Sequence, residues 1–256
     1  MNTAIQEYEE IINHLTQIID EFSKNKSLPK PDIRISREGK SKEELVEVIK
    51  QIGAAGPRVD GKEYLGQLFS GENTLALVAE TATGIYNIPM HTVMSSGINI
   101  CIEDEVIRHI GGLIGFKDGI VCPGGSISNL TAMIVAKYRA GDSKEEGITQ
   151  RYRVYASDRA HYSIIKNAGI IGIGRKNTVL IPSDEQGVMK ADLLEKRILA
   201  DKEKGYEPLM IISTAGTTLF GSFDDLTENS KVAEEFGLWH HVDGAFGGTL
   251  LLSKTR

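Results

Sequence analysis

Residues 238–248 read LWHHVDGAFGG, an apolar run that ends on an acid and is followed at once by small residues. The pattern predicts a β-strand over residues 238–242, with Asp243 directly after it. In an open α/β sheet, ligands bind beyond the carboxyl ends of the strands. We therefore expect Asp243 to meet a ligand, with Gly244 and Ala245 letting that ligand come close to the backbone.

Upstream of this segment, short apolar runs alternate with helical patterns. The predicted strands span 152–156, 178–181, 209–213 and 238–242. The predicted helices span 128–140, 161–171, 190–204 and 225–236. This alternation is typical of βαβ units, and it predicts an α/β fold with a mostly parallel sheet. Further upstream, 73–83 and 102–114 read as helices, and 86–97 reads as a loop.

The N-terminal region has a different pattern. Apolar residues spaced by three and four predict an amphipathic helix over 1–23, which packs either on its own domain or as an arm against a partner subunit. A linker over 23–40 follows. Ser41 and Glu44 then form the sequence signature of a capping box at the start of a second helix. We expect an N-terminal helical arm and linker over 1–55 and a large domain over 56–256.

The composition limits the class of protein and the partners that we expect. The 256 residues are 41% hydrophobic and 25% charged, which is ordinary for a soluble globular protein. A net charge of −6 gives no reason to expect nucleic acid or an anionic membrane as a partner. Cys101 and Cys122 form no metal-spaced pair, so no metal site is predicted. With no signal-peptide pattern and no long apolar window, we expect a cytoplasmic protein.

Three turns are candidates for binding chemistry. Residues 122–129, CPGGSISN, place glycines and serines before a helix, which suits a phosphate or an ordinary glycine turn with a serine cap. His161, after the first strand of the sheet, suits stacking on a ring, proton transfer or simple capping. Residues 213–221 place hydroxyl groups after another strand. Together with Asp243, all three turns fall at the carboxyl edge of the predicted sheet.

Pyridoxal phosphate satisfies these positions together. Its phosphate suits the helix start at Ser126, its ring face suits His161, and its pyridine nitrogen suits Asp243. A buried aspartate near that nitrogen keeps it protonated, and the protonated ring acts as an electron sink. A nucleotide remains an alternative, although it would leave the acid and the histidine without linked roles.

Four segments, in order and at matching intervals, resemble the group II pyridoxal-phosphate-dependent amino-acid decarboxylases, which include glutamate, cysteine sulfinate and aromatic amino-acid decarboxylases. They are PGGSISN (123–129), AHYS (160–163), TAGTTLFGSFD (214–224) and LWHHVDGAFGG (238–248). GQLFSG (66–71) is similar to the family's substrate loop. The resemblance is nearest to the glutamate and cysteine sulfinate branch. It implies a type I, aminotransferase-like fold and an obligate dimer with active sites at the subunit interface.

The resemblance also implies roles for individual residues. His161 would stack on the pyridine ring, Asp243 would pair with the ring nitrogen, and Gln67 would contact the substrate carboxylate. The remaining cofactor-binding positions that it implies are Ser126, Ile127 and Ser128 at the phosphate, Thr218 beside the cofactor, and Ala245 against the ring.

Two departures from the family pattern bear on function. Gly66 stands where the family usually has asparagine, which leaves the choice of substrate open. The family's Schiff-base lysine, in a His-Lys pair, has no counterpart: the only lysine after Asp243 is Lys254. We therefore expect the N-terminal part of an L-amino-acid decarboxylase, truncated and acting as a homodimer or with a C-terminal partner polypeptide. The alternative is an inactive remnant that binds pyridoxal phosphate or a full-length paralogue.

Overall fold

A computed structural model describes residues 13, 37–56, 59, 64–65, 73–141 and 144–253 of the chain. Internal contacts divide the chain into two units, 1–86 and 87–256. The helix expected over 1–23 lies outside the described residues apart from Asn13, and Gln67 and Lys254 also lie outside them. The division into 1–55 and 56–256 stays a prediction.

The first unit contains helices α1 (Lys42–Ala55) and α2 (Thr74–Tyr86). The predicted capping box at α1 is confirmed, because the Ser41 hydroxyl accepts from the Glu44 N–H at 3.2 Å and Glu44 accepts from the Ser41 N–H at 2.7 Å. These bonds satisfy two N–H groups that a helix start otherwise leaves without partners. At α2, the Asn73 side chain accepts from the backbone in the same way.

The second unit begins with helices α3 (Val93–Ser96), α4 (Ile98–Leu113) and α5 (Gly125–Ala140). The prediction of a loop throughout 86–97 is wrong at α3. Thr92 caps this single turn, since its hydroxyl accepts from the Ser95 N–H at 3.2 Å. Such a short element has no hydrophobic periodicity, so only the Thr-x-x-Ser spacing could have indicated it.

The sheet confirms the predicted α/β class. Its strands are β1 (Tyr152–Ser157), β2 (Thr178–Ile181), β3 (Glu207–Thr214) and β4 (Trp239–Asp243). They run parallel in the order β2-β1-β3-β4. The connecting helices are α6 (Ser163–Ile170), α7 (Ala191–Glu203) and α8 (Leu226–Glu235). Every one of these elements was predicted from the alternation of apolar runs and helical patterns.

Buried side chains lie on both faces of the sheet. Because neighbouring strand residues point to opposite faces, Val154 joins the cluster that contains Met133 of α5, while Tyr155 joins the cluster that contains Leu194 of α7. Burial of each such side chain contributes about 1.5–3 kcal/mol relative to exposure. The covered sheet holds the ends of its strands in fixed relative positions.

The carboxyl ends of the strands form one edge, as expected for parallel pairing. Thr214 at the end of β3 lies opposite Asp243 at the end of β4. The Ala215 N–H then donates to the Asp243 carbonyl at 2.9 Å, which extends the pairing by one residue. Among the described helices, none has the length and apolar character needed to cross a membrane.

Candidate active site

Asp243 is a buried carboxylate at the end of β4, with 8% of its surface exposed. Its Oδ1 accepts from the Ala245 N–H at 3.1 Å, and its Oδ2 accepts from Nδ2 of Asn129 at 2.8 Å. A carboxylate has about four lone-pair sites, so two remain for a further donor. The arrangement fixes the carboxylate while leaving it able to bind a ligand.

Asn129 connects this carboxylate to the rest of the site. Its Nδ2 also donates to the Ser163 hydroxyl at 3.2 Å, and its Oδ1 lies 2.8 Å from Nε2 of His241. Burial lowers the pKa of His241, and the nearby Asp243 opposes that shift. His241 is therefore mainly neutral at pH 7. With only 2% of Asn129 exposed, each polar atom of its amide has a protein partner.

His161 lies at the start of α6, after β1, and is half-buried. Its Nδ1 lies 2.8 Å from the Ser163 hydroxyl and accepts from the Ser163 N–H at 3.3 Å. Since Nδ1 accepts, the ring proton resides on Nε2, and the imidazole is held in one orientation. Its ring centroid lies 4.3 Å from that of Tyr162.

The N-terminus of α5 offers backbone donors. Gly124 caps it at φ +99°, a conformation that L side chains rarely adopt. The N–H groups of Ile127 and Ser128 donate to the Gly124 carbonyl. No acceptor within the described part of the chain meets the N–H of Gly125 or Ser126. Two donors at the positive end of a 16-residue helix thus remain open, an arrangement that favours an anion.

A cleft of about 310 Å³ adjoins both the start of α5 and the Asp243 carboxylate, with Gly124, Ser128, Asn129, Asp243 and Ala245 among its lining residues. Its volume falls in the range of roughly 300–1,000 Å³ typical of small-molecule sites. Gly125 is packed tightly here, since a Cβ added to it would lie 2.9 Å from the Cβ of Ala245. The cleft therefore places an anion-binding helix start and a carboxylate beside the same small volume.

Four predicted residues do not line this cleft: Ser126, Ile127, His161 and Thr218. The Ser126 carbonyl accepts from Nδ2 of Asn167 on α6 at 2.9 Å, and Ile127 is 40% exposed. Thr218 is exposed, whereas the adjacent Thr217 is buried and bonded to Ser222 at 2.7 Å. Within the described ranges, no cluster of His, Cys, Asp and Glu could hold a metal ion.

Three residues that organise the site have no role that the sequence alone predicts: Asn129, Ser163 and His241. All three stand inside the quoted motifs. The sequence could have indicated a role for Asn129, because asparagine is a poor helix former and this one is the fifth residue of α5. A buried asparagine in a helix requires partners for its amide, and these lie far away in the sequence.

Residues 25–256 match the pyridoxal-dependent decarboxylase conserved domain. The chain is 34% identical over 230 residues to the cysteine sulfinic acid decarboxylase of Mus musculus, an alignment covering 88% of this chain and 47% of that protein. It is 33% identical over 228 residues to the acidic amino acid decarboxylase GADL1 of Mus musculus, with coverage of 87% and 42%. The chain thus spans about half the length of these relatives.

Solved structures give the same fold. The crystal structure of mouse CSAD aligns with a TM-score of 0.90 at 29% identity, covering 97% of this chain and 57% of that one. The glutamate decarboxylase domain of a Vibrio parahaemolyticus protein aligns with a TM-score of 0.88 at 22% identity, covering 97% and 60%, and shows likeness of fold alone. The predicted type I fold is confirmed for the part of those chains that this one covers.

Proposed function

The chain belongs to the pyridoxal-dependent decarboxylase family, and we propose that it forms the cofactor-binding part of a pyridoxal-phosphate-dependent L-amino-acid decarboxylase. The observation that carries this proposal is the shared cleft. The buried Asp243 carboxylate and the start of α5, with its open N–H groups, meet the same volume. A phosphate and a pyridine nitrogen on one small molecule suit these two features together.

The residues present fit this cofactor. The N–H groups of Gly125 and Ser126 would bind its phosphate at the positive end of α5, with the Ser128 hydroxyl beside them. Asp243 would accept a hydrogen bond from the ring nitrogen and hold a proton there. When bound, pyridoxal phosphate supplies the electron sink that takes up the electron pair released as CO₂ leaves.

The remaining assignments concern contacts around the ring. His161 would lie against the ring face, with its Nδ1 held by Ser163 and its Nε2–H left available as a donor. Thr218 would lie beside the cofactor, Ala245 would pack against the ring, and Ile127 would lie at the phosphate site. Gln67 would contact the carboxylate of the substrate.

We propose an acidic amino acid, such as cysteine sulfinate or glutamate, as the substrate of the complete enzyme. Support comes from the relatives, which are cysteine sulfinic acid and acidic amino acid decarboxylases. The substitution of Gly66 for the family's asparagine makes a panel of substrates necessary in any assay.

The lysine that binds the cofactor covalently must come from another segment or polypeptide in this proposal. No lysine lines the cleft in the part of the chain that the structure describes. The chain would work as a homodimer or with a C-terminal partner polypeptide, and of these two assemblies only the second would bring in the lysine. A cleft that no described lysine lines also suits the second candidate, a non-enzymatic protein that binds pyridoxal phosphate or a full-length paralogue.

Titration of the purified chain tests the binding proposal. We expect saturable binding of pyridoxal phosphate, followed by its absorbance, and much weaker binding of pyridoxal, which lacks the phosphate. ATP, as the nucleotide control, should not compete. Saturable binding of ATP together with no binding of pyridoxal phosphate would favour a nucleotide-binding protein instead.

Co-expression separates the two candidate functions. The chain would be produced with any adjacent reading frame that encodes a His-Lys motif, and CO₂ release would be assayed on a panel of amino acids. Decarboxylation that requires both polypeptides supports the enzyme. Saturable cofactor binding with no decarboxylation in any such pairing supports the non-enzymatic candidate.

A further inference from the structure

The hydrogen bonds around Asn129 form one directed chain. Nδ2 of Asn129 uses one hydrogen for Asp243 Oδ2 at 2.8 Å and the other for the Ser163 hydroxyl at 3.2 Å. The Ser163 hydroxyl accepts that bond, so its own hydrogen is free to donate to Nδ1 of His161 at 2.8 Å. A single amide thereby joins the carboxylate at the end of β4 to the imidazole after β1.

The direction of these bonds fixes the amide of Asn129. The opposite orientation would place Oδ1 against Oδ2 of Asp243 at 2.8 Å, where two acceptors repel each other. Because Nδ2 must face Asp243, Oδ1 must face His241, and Nε2 of His241 must carry the hydrogen between them. His241 thus holds Asn129 from the side opposite Asp243.

From this geometry we propose that Asn129, oriented by His241, is a positioning residue that holds the Asp243 carboxylate toward the nitrogen of the cofactor ring and the His161 imidazole toward the ring face. This inference rests on the proposed binding of pyridoxal phosphate. Asn129 also belongs to the helix whose N-terminus would meet the phosphate, so α5 would carry the anion-binding and the positioning functions on one rigid element.

The chain contains a matched control on another helix. Asn229 of α8 is 0% exposed, and its Nδ2 donates to the Ser213 hydroxyl at 3.0 Å, which lies 2.9 Å from Nε2 of His240. This buried group repeats the amide-to-hydroxyl-to-imidazole connection of the first one without any hydrogen bond to Asp243, although Oδ1 of Asn229 has no partner among the described residues. Asn129→Leu and Asn229→Leu therefore remove the same kind of amide, and only the first removes a contact to the proposed site.

The test compares the wild-type chain with Asn129→Leu and Asn229→Leu, using pyridoxal phosphate labelled with ¹⁵N at the ring nitrogen. Loss of a hydrogen bond to a charged group lowers affinity by roughly tenfold or more. We expect that loss in Asn129→Leu, together with a ¹⁵N shift that moves toward that of the unprotonated ring. Asn229→Leu should keep wild-type affinity and the wild-type ¹⁵N shift even where its thermal stability falls.

The outcomes separate the two proposals. Absence of cofactor binding by the wild-type chain overturns the proposed function. If the wild type binds the cofactor and the two variants have the same affinity and the same ¹⁵N shift as each other, the positioning role alone is overturned. The proposed function then stands.

A measurement on the unmutated protein covers the case in which Asn129→Leu does not fold. In ¹⁵N-histidine spectra of the wild-type chain, His241 should be the tautomer with its hydrogen on Nε2. Observation of the Nδ1–H tautomer would make Nε2 an acceptor, reverse the amide of Asn129 and overturn the inference.

Discussion

The side chains of Asn129 and Asp243, 114 positions apart in the sequence, meet in a hydrogen bond of 2.8 Å at the carboxyl edge of the sheet. Both residues are buried, at 2% and 8% exposure, so water does not replace either partner readily. Removal of one residue leaves the other with an unmet polar group in a region of low dielectric constant. The pair is therefore coupled in folding as well as in the proposed function.

A double-mutant cycle measures this coupling. Asn129→Ala and Asp243→Ala should each destabilise the chain, and the double variant should be less destabilised than their sum by about 2 kcal/mol, because the bond is lost only once. Urea unfolding gives the free energies. The pair Asn229→Ala and Asp243→Ala, which share no hydrogen bond, should be additive within about 0.5 kcal/mol. If the free energies are additive for Asn129→Ala and Asp243→Ala, the hydrogen bond between Asn129 and Asp243 does not contribute to stability.

Gly125→Ala should weaken cofactor binding through a steric effect. The new Cβ would lie 2.9 Å from the Cβ of Ala245, so the start of α5 and the segment after β4 must move apart. We expect at least a tenfold higher Kd for pyridoxal phosphate, which corresponds to about 1.4 kcal/mol.

Two variants control for the general effect of replacing a helical glycine. In Gly112→Ala of α4, the added Cβ has no other atom within 4 Å. This variant should leave cofactor binding unchanged and stabilise the chain by about 0.5–1 kcal/mol. The double variant Gly125→Ala with Ala245→Gly removes the clash but also the methyl group proposed to pack against the ring, so it is compared with Ala245→Gly alone and should bind with the same affinity. If the double variant binds more weakly than Ala245→Gly alone, the clash is not the cause.

Features that depend on a local pattern of residues could be predicted from the sequence. The four strands and the capping box at Ser41 follow from periodicity and short spacings, and both are present. The role of Asn129 was beyond such reasoning, because its partners belong to other elements that only the folded sheet brings near. Burial of His241 likewise arises from long-range packing, so the sequence gives no sign of its lowered pKa.

Asp224 provides a prediction about pH. Its carboxylate is 3% exposed and accepts from the N–H groups of Met189 at 2.8 Å and Thr214 at 2.7 Å. Burial raises its pKa above the ordinary value of 3.8, although the two N–H donors oppose the shift. The folded state thus binds the proton more tightly than the unfolded state does. The stability that this group contributes is present below pH 3.8 and is lost as pH rises through its folded pKa.

Urea unfolding from about pH 3 to pH 7 checks this sign. The stability of the wild type relative to Asp224→Asn should fall as pH rises above 3.8. Asp192→Asn is a control of opposite sign, since the hydrogen bond from Lys196 lowers the pKa of Asp192. Relative to that variant, the wild type should gain stability as pH rises. If stability relative to the two variants changes with pH in the same direction, the raised pKa is not that of Asp224.

The last prediction concerns covalent attachment. No lysine lines the cleft within the described ranges. Borohydride reduction of the chain mixed with pyridoxal phosphate should therefore leave only scattered, substoichiometric adducts on exposed lysines, as mapped by peptide mass spectrometry. The Asp243→Ala variant should give the same adduct pattern, because no adduct depends on the cleft. A stoichiometric adduct at Lys254 that disappears in Asp243→Ala would show that this chain supplies its own lysine.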